Sequence, residues 1–149
     1  KRLGVTSVAS LNELVNARKT KEFIDIAEML QAKQISKIAD QISCKKDVRM
    51  VLMAGPSSSG KTTSSKKLAL QLRCLGYTPR VVELDTYYVD RTKTPRDEKG
   101  EYDYECLEAL DVEQLNKDLV DLFSGKEVAL PSYNFKEGKR HYTGKTLKK

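Results

Sequence analysis

Eight consecutive residues constrain this chain more than any others. Gly55-Pro56-Ser57-Ser58-Ser59-Gly60-Lys61-Thr62 matches the pattern G-x-x-x-x-G-K-[ST] in full. Glycines at both ends let the backbone curl so that successive N–H groups converge on one anion. A lysine then adds a point charge directed at the outer phosphates of a nucleoside triphosphate, and a hydroxyl follows that can ligate Mg²⁺. The flanks agree with this reading. Met50-Val51-Leu52-Met53-Ala54 is a short apolar run of the kind a parallel strand shows when both its faces are buried. Beyond the loop, Leu68, Leu72 and Leu75 recur at helical spacing, and Gly76 with Pro79 supplies a stop. The N–H groups at the start of that helix add their positive end to the same anion site. The candidate phosphate-binding residues are therefore Gly55, Ser57, Ser58, Ser59, Gly60, Lys61, Thr62 and Thr63, with Thr62 also the metal ligand.

A second apolar run, Arg80-Val81-Val82-Glu83-Leu84, ends at Asp85. Strand, loop, helix and strand in this order predict a right-handed βαβ unit, and hence an α/β fold around a parallel sheet. Ligands of such sheets sit beyond the carboxyl ends of the strands, which sets Asp85 beside the triphosphate. A carboxylate there can take the proton of an attacking hydroxyl or help hold Mg²⁺. An aspartate capping the next turn is the plainer alternative.

The rest of the chain reads as a frame. Ser10-Leu11-Asn12-Glu13 has capping-box form and predicts a short helix. A longer one follows from about Lys21 to Ser43, with Phe23, Ala27 and Leu30, then Ile35, Ile38 and Ile42, as its apolar stripe. Residues 1–46 are thus expected to form a helical module, and 47–149 the nucleotide-binding part. Thr92 to Gly100 is a polar surface loop. Glu101 to Glu105 alternates acidic and aromatic residues, which suits either a pocket wall or a half-exposed edge strand. Asp111 caps a helix carrying Leu115, Leu119 and Leu122, Val128 to Pro131 is a short strand halted by proline, and a basic tail follows.

The net charge of +6 suits anionic phosphate ligands and leaves nucleic acid open as a partner, although no motif carries that reading. Three cysteines without C-x-x-C spacing indicate neither a disulfide framework nor a zinc site. Reduced thiols, together with the lack of a long apolar run, lead to a cytoplasmic expectation.

From about Val48 onward the chain resembles the uridine kinase and phosphoribulokinase family. It is most similar to bacterial uridine kinase-like nucleoside kinases with N-terminal domains related to threonyl-tRNA synthetase. The stretches that carry the resemblance are AGPSSSGKTT, ELDTYYVDRTKTPRD, EYDYECLEALD and LPSYNFKEGKR. The resemblance implies transfer of the γ-phosphate of ATP or GTP, with Mg²⁺, to a sugar-type hydroxyl such as the 5′-OH of a nucleoside. By position it implies Asp85 as the catalytic base and Tyr88 as an aromatic residue near the substrate. It likewise implies Asp103 on ribose hydroxyls, Tyr133 facing the base, and Arg140 shortly after it. At Gly138 typical uridine–cytidine kinases carry a histidine that reads the pyrimidine, and His141 is out of register, so the resemblance carries phosphoryl transfer to a uridine-like nucleoside further than it carries the choice of base.

Family members continue past this point with a further acidic core strand and an arginine-bearing lid. The chain therefore reads as a fragment that binds phosphate, turns over poorly and self-associates through exposed apolar surface. Two other readings stay open. One is a non-catalytic NTP-binding module associated with RNA, and the other is a sister kinase acting on a phosphosugar or another small alcohol.

Overall fold

The structure, a computed structural model, describes residues 4–56 and 58–148. The chain is α/β and divides into two compact units, Lys1–Val81 and Val82–Lys149.

The first unit is helical. Helix α1 (Val8–Asn16) starts at Ser7 and not at Ser10, because Ser7 and Ser10 satisfy each other's backbone. The Ser10 N–H donates to Ser7 Oγ, and the Ser7 N–H donates to Ser10 Oγ, each at 3.1 Å. Helix α2 (Thr20–Ser43) packs on α3 (Lys61–Cys74) through Ile35 and Ala39 against Leu68 and Leu72, with Ile42 at the margin. Lys67 Nζ donates to Gln31 Oε1 across the same seam at 2.8 Å. The contact row therefore runs through 31, 35, 39 and 42, in steps of four, four and three residues, and Ile38 of the expected stripe faces outward. Leu75 leaves the helix to become its C-cap and is also exposed.

The expected parallel sheet is not formed among the described residues. Residues 50–54 lie in no helix or strand, and Leu52 is 78% exposed. A parallel strand is held only by neighbours that take up its N–H and C=O groups, and no described strand pairs with this run. The second run, 80–84, is likewise in no described strand. Its end is drawn into a 3₁₀ turn, Leu84–Tyr87, where the Glu83 carbonyl accepts from the Thr86 N–H at 3.3 Å and from Thr86 Oγ1 at 2.8 Å.

The second unit holds the one sheet found among the described residues, an antiparallel ribbon of β1 (Val128–Asn134) and β2 (Lys139–Leu147). Pro131 does not stop β1. A register shift between Ala129 and Pro131 absorbs the missing N–H, and the strand continues to Asn134. The basic tail is correspondingly a strand, with Asn134 opposite Lys139 and Tyr133 opposite Arg140. Helix α4 (Val112–Phe123) packs on β1 and on the 84–87 turn. It is capped as expected by Asp111, whose Oδ1 accepts from the Gln114 N–H at 3.0 Å. Among the described residues no helix is long and apolar enough to cross a membrane.

Candidate functional site

The glycine-rich loop before α3 lies in the first unit. Gly60 takes φ +83° as the residue before α3, and Ser58 takes φ +56°. The left-handed region at Gly60 favours glycine. At Gly55 a Cβ would lie 3.0 Å from Ser59 Oγ, so the loop closes on itself there. Lys61 Nζ donates to the carbonyls of Gly55 at 2.7 Å and Pro56 at 2.8 Å, which leaves one of its three hydrogens for another acceptor. No side chain caps α3, so the first-turn N–H groups of Lys61, Thr62 and Thr63 have no intrahelical partner. Thr62 and Thr63 are exposed. Ser57 lies outside the described residues. Open first-turn N–H groups, an ammonium tied across the loop and a glycine-tight backbone fit a polyphosphate, and the Thr62 hydroxyl fits a magnesium ligand.

Asp85 belongs to the second unit, on the 84–87 turn, with its carboxylate exposed. The turn is clamped from behind. The Tyr87 carbonyl accepts from the Asp111 N–H at 2.8 Å, and the Val89 N–H donates to the Ala109 carbonyl at 2.9 Å. Tyr88 then leads into an aromatic cluster. Its ring meets Tyr104 at 5.1 Å, Tyr133 at 5.6 Å and Phe135 at 6.1 Å between centroids, all edge to face. Tyr133 and Phe135 meet in the same way at 5.0 Å. Of the residues expected near the acceptor, the fold thus joins Tyr88 and Tyr133 directly.

Electrostatics ties Asp85 to the same cluster. The Tyr88 phenol is pushed up first by burial and then by the negative charges of Asp85 and Glu105. The Tyr133 hydroxyl is buried and has no hydrogen-bond partner of good geometry. Burial, followed by the nearby Tyr104 hydroxyl, pushes its pKa up to about 12. At Tyr104 burial opposes ionisation, but the Arg91 guanidinium and the Tyr133 hydroxyl outweigh it and hold the pKa below the usual tyrosine value.

Asp103 and Arg140 are placed differently from the aromatic residues. Asp103 is half-buried and uses Oδ1 to accept from the Glu105 N–H at 2.9 Å, so part of its carboxylate holds the local turn. Arg140 lies opposite Tyr133 on the ribbon, yet its guanidinium is at ion-pair distance from Asp111, 2.7 Å from Nη1 to Oδ2 and off the hydrogen-bond direction. The Arg140 N–H also donates to Asp90 Oδ1 at 3.0 Å. The side chain that does reach the cluster, and that sequence reasoning missed, is Arg91. Its Nε donates to Tyr104 Oη at 3.4 Å, its Nη1 to the Lys136 carbonyl at 3.4 Å, and its Nη2 to the Phe135 carbonyl. No spacing rule links Arg91 to a hairpin turn so far along the chain. Glu105 was likewise missed, although it stood in the acidic–aromatic alternation.

Residues 50–148 match the profile of the phosphoribulokinase / uridine kinase family. The chain belongs to this family. A uridine kinase of Limosilactobacillus reuteri is 37% identical over 83 residues, which are 56% of this chain and 37% of that protein. The uridine kinase of Schizosaccharomyces pombe is 34% identical over 97 residues, 62% of this chain and 20% of that protein. Among solved structures, a possible uridine kinase from Bacillus stearothermophilus superposes with a TM-score of 0.55 at 26% identity, covering 78% of this chain and 64% of that one. The chain thus spans about two fifths or less of the length of these curated relatives. Both the glycine-rich loop and the aromatic cluster fall within the family match, whereas α1 and α2 precede it.

Proposed function

We propose that this chain supplies the phosphate loop and the acceptor side of a nucleoside-type kinase. The reaction is transfer of the γ-phosphate of ATP or GTP to a sugar hydroxyl. The observation that carries the reading is the formed loop, with Lys61 drawn across Gly55 and Pro56 at the start of α3, in a chain of this family. In this reading the first-turn N–H groups of Lys61, Thr62 and Thr63 and the ammonium of Lys61 bind the polyphosphate and neutralise charge as it shifts to the leaving oxygen. Thr62 would offer its hydroxyl to Mg²⁺, which would supply positive charge against the triphosphate. Asp85 accepts the proton of the acceptor hydroxyl as the new P–O bond forms and the bond to the departing diphosphate breaks. Tyr88, Tyr133 and Phe135 give an apolar edge-and-face surface for a planar ring, and Asp103 and Arg140 flank it as polar groups for the acceptor.

Residues 1–46 serve as a helical module ahead of the kinase part, 47–149, and the setting is cytoplasmic. Uridine-like nucleosides are the acceptor class, named from the relatives. A coupled assay of the intact protein against a panel of nucleosides and small alcohols tests the reading, with calorimetry of MgATP and MgGTP binding beside Lys61→Ala. Phosphorylation of no nucleoside or sugar, with triphosphate binding unaffected by Lys61→Ala, would remove it.

A further inference from the structure

The buried residue of α4 is not a leucine of its apolar stripe but Asp118, 5% exposed. A carboxylate placed there needs a reason, because burial without partners costs several kcal/mol on the order-of-magnitude scale of ion desolvation. Its partners are specific. Tyr87 Oη donates to Oδ2 at 2.9 Å, and Gln114 Nε2 donates to Oδ1 at 2.7 Å. Tyr87 is itself 1% exposed and is the largest fully buried side chain among the described residues. Both carboxylate oxygens and the phenol are therefore used in one closed set.

The set lies under Asp85. Tyr87 closes the 3₁₀ turn that starts at Leu84, so Asp85 sits two residues before it and Tyr88 one residue after. The Tyr87 carbonyl is held by the Asp111 N–H, and Tyr88 bridges to Leu110. The backbone of the turn is thus pinned on one side, while the Tyr87–Asp118 bond pins its rotation from inside the core. A phenylalanine at 87 would fill the same space but lose the directional bond.

We propose that Asp118 and Tyr87 are positioning residues that set the orientation of Asp85 and Tyr88 towards the acceptor hydroxyl. Neither touches substrate. Their effect on transfer passes through the turn, and it rests on the reading of Asp85 as the base. Misplacement of a reacting group by about 1 Å can cost on the order of a hundredfold in rate.

The test uses the intact protein and five variants. Tyr87→Phe and Asp118→Asn should each lower kcat per folded molecule by about ten- to a hundredfold, with KM for ATP unchanged. The double variant should be no slower than the worse single, as expected of two groups acting as one unit. Amide exchange at Asp111 and Val89 should quicken in Asp118→Asn even without substrate. Val128→Ala, a buried apolar truncation in the same unit, should lower the melting temperature and leave kcat unchanged. If Tyr87→Phe fails to fold, the shape-conserving Asp118→Asn decides alone. Unchanged kcat in Asp118→Asn, or an equal fall in Val128→Ala, overturns the proposal. Asp85→Asn separates the two levels. Full activity in that variant removes the base reading and the positioning role with it. A collapse in Asp85→Asn with normal kcat in Asp118→Asn removes the positioning role only.

Discussion

Arg91 occupies the space that a side chain at Gly138 would need. A Cβ on Gly138 would lie 2.6 Å from Arg91 Cβ, 2.6 Å from Nε and 2.8 Å from Cζ. Gly138 has φ +66°, and its carbonyl accepts from the Arg91 N–H at 2.7 Å. The lack of a side chain at the hairpin turn is thus the counterpart of a guanidinium brought from the 91–93 turn.

Gly138→Ala should therefore destabilise the second unit by about 2 kcal/mol or more, from left-handed backbone strain and overpacking together. Thermal unfolding measures it. Adding Arg91→Ala should rescue only part, because Arg91 Cβ remains within 2.6 Å of the new methyl group. Full rescue, or no loss in the single variant, would show that the pair is not in contact.

Stability should fall in alkali. Tyr133 is held up to about 12, and Tyr87 is raised by burial and by its bond to Asp118, whereas tyrosines of the unfolded chain ionise near the ordinary value of about 10. Groups with raised folded pKa contribute stability that is fully present below the unfolded value and is lost as pH rises through the folded one. Denaturant midpoints should hold steady to about pH 9 and then decline. Tyr133→Phe should make the decline shallower, and an unchanged slope would contradict the assignment.

Asp111 should matter in acid. The Gln114 N–H, then Arg140, holds its carboxyl below the ordinary carboxylate value against the opposing effect of burial. Its contribution is present above the ordinary carboxylate pKa and is lost as pH falls through the lowered one. Asp111→Ala should cost about 0.5–2 kcal/mol at neutral pH through the lost N-cap, and less below pH ~3. Urea unfolding at the two pH values checks it. A loss of equal size at both would mean that the charge plays no part.

What was legible in the chain was what depends on neighbours in sequence. Gly60 turns the chain into α3 with the left-handed backbone its residue type favours, α3 ends before Gly76 as its spacing required, and Asp111 caps α4 through a residue three positions on. What was not legible depends on partners far along the chain. An apolar run such as 50–54 has strand composition, but composition cannot supply the adjacent strand that would satisfy its backbone. Pro131 looked like an ending because a missing N–H breaks a regular ladder, and the register shift that accommodates it is a property of the pair. The pairing of Arg140 with Asp111 joins residues far apart in the chain, and only the fold reveals it. The burial of Asp118 was hidden for the same reason, since a polar residue between Leu115 and Leu122 reads as solvent-facing until Tyr87 is found above it.

The most direct measurement is single-turnover transfer of labelled γ-phosphate from ATP to a nucleoside by the intact protein, beside Asp85→Asn and Lys61→Ala. The account predicts label on the sugar hydroxyl with the native chain and a loss on the order of a hundredfold or more in Asp85→Asn, set by the size of general-base effects. ATP binding should be retained in that variant and lost in Lys61→Ala. Label released only as inorganic phosphate, or transfer by Asp85→Asn at the native rate, would contradict it.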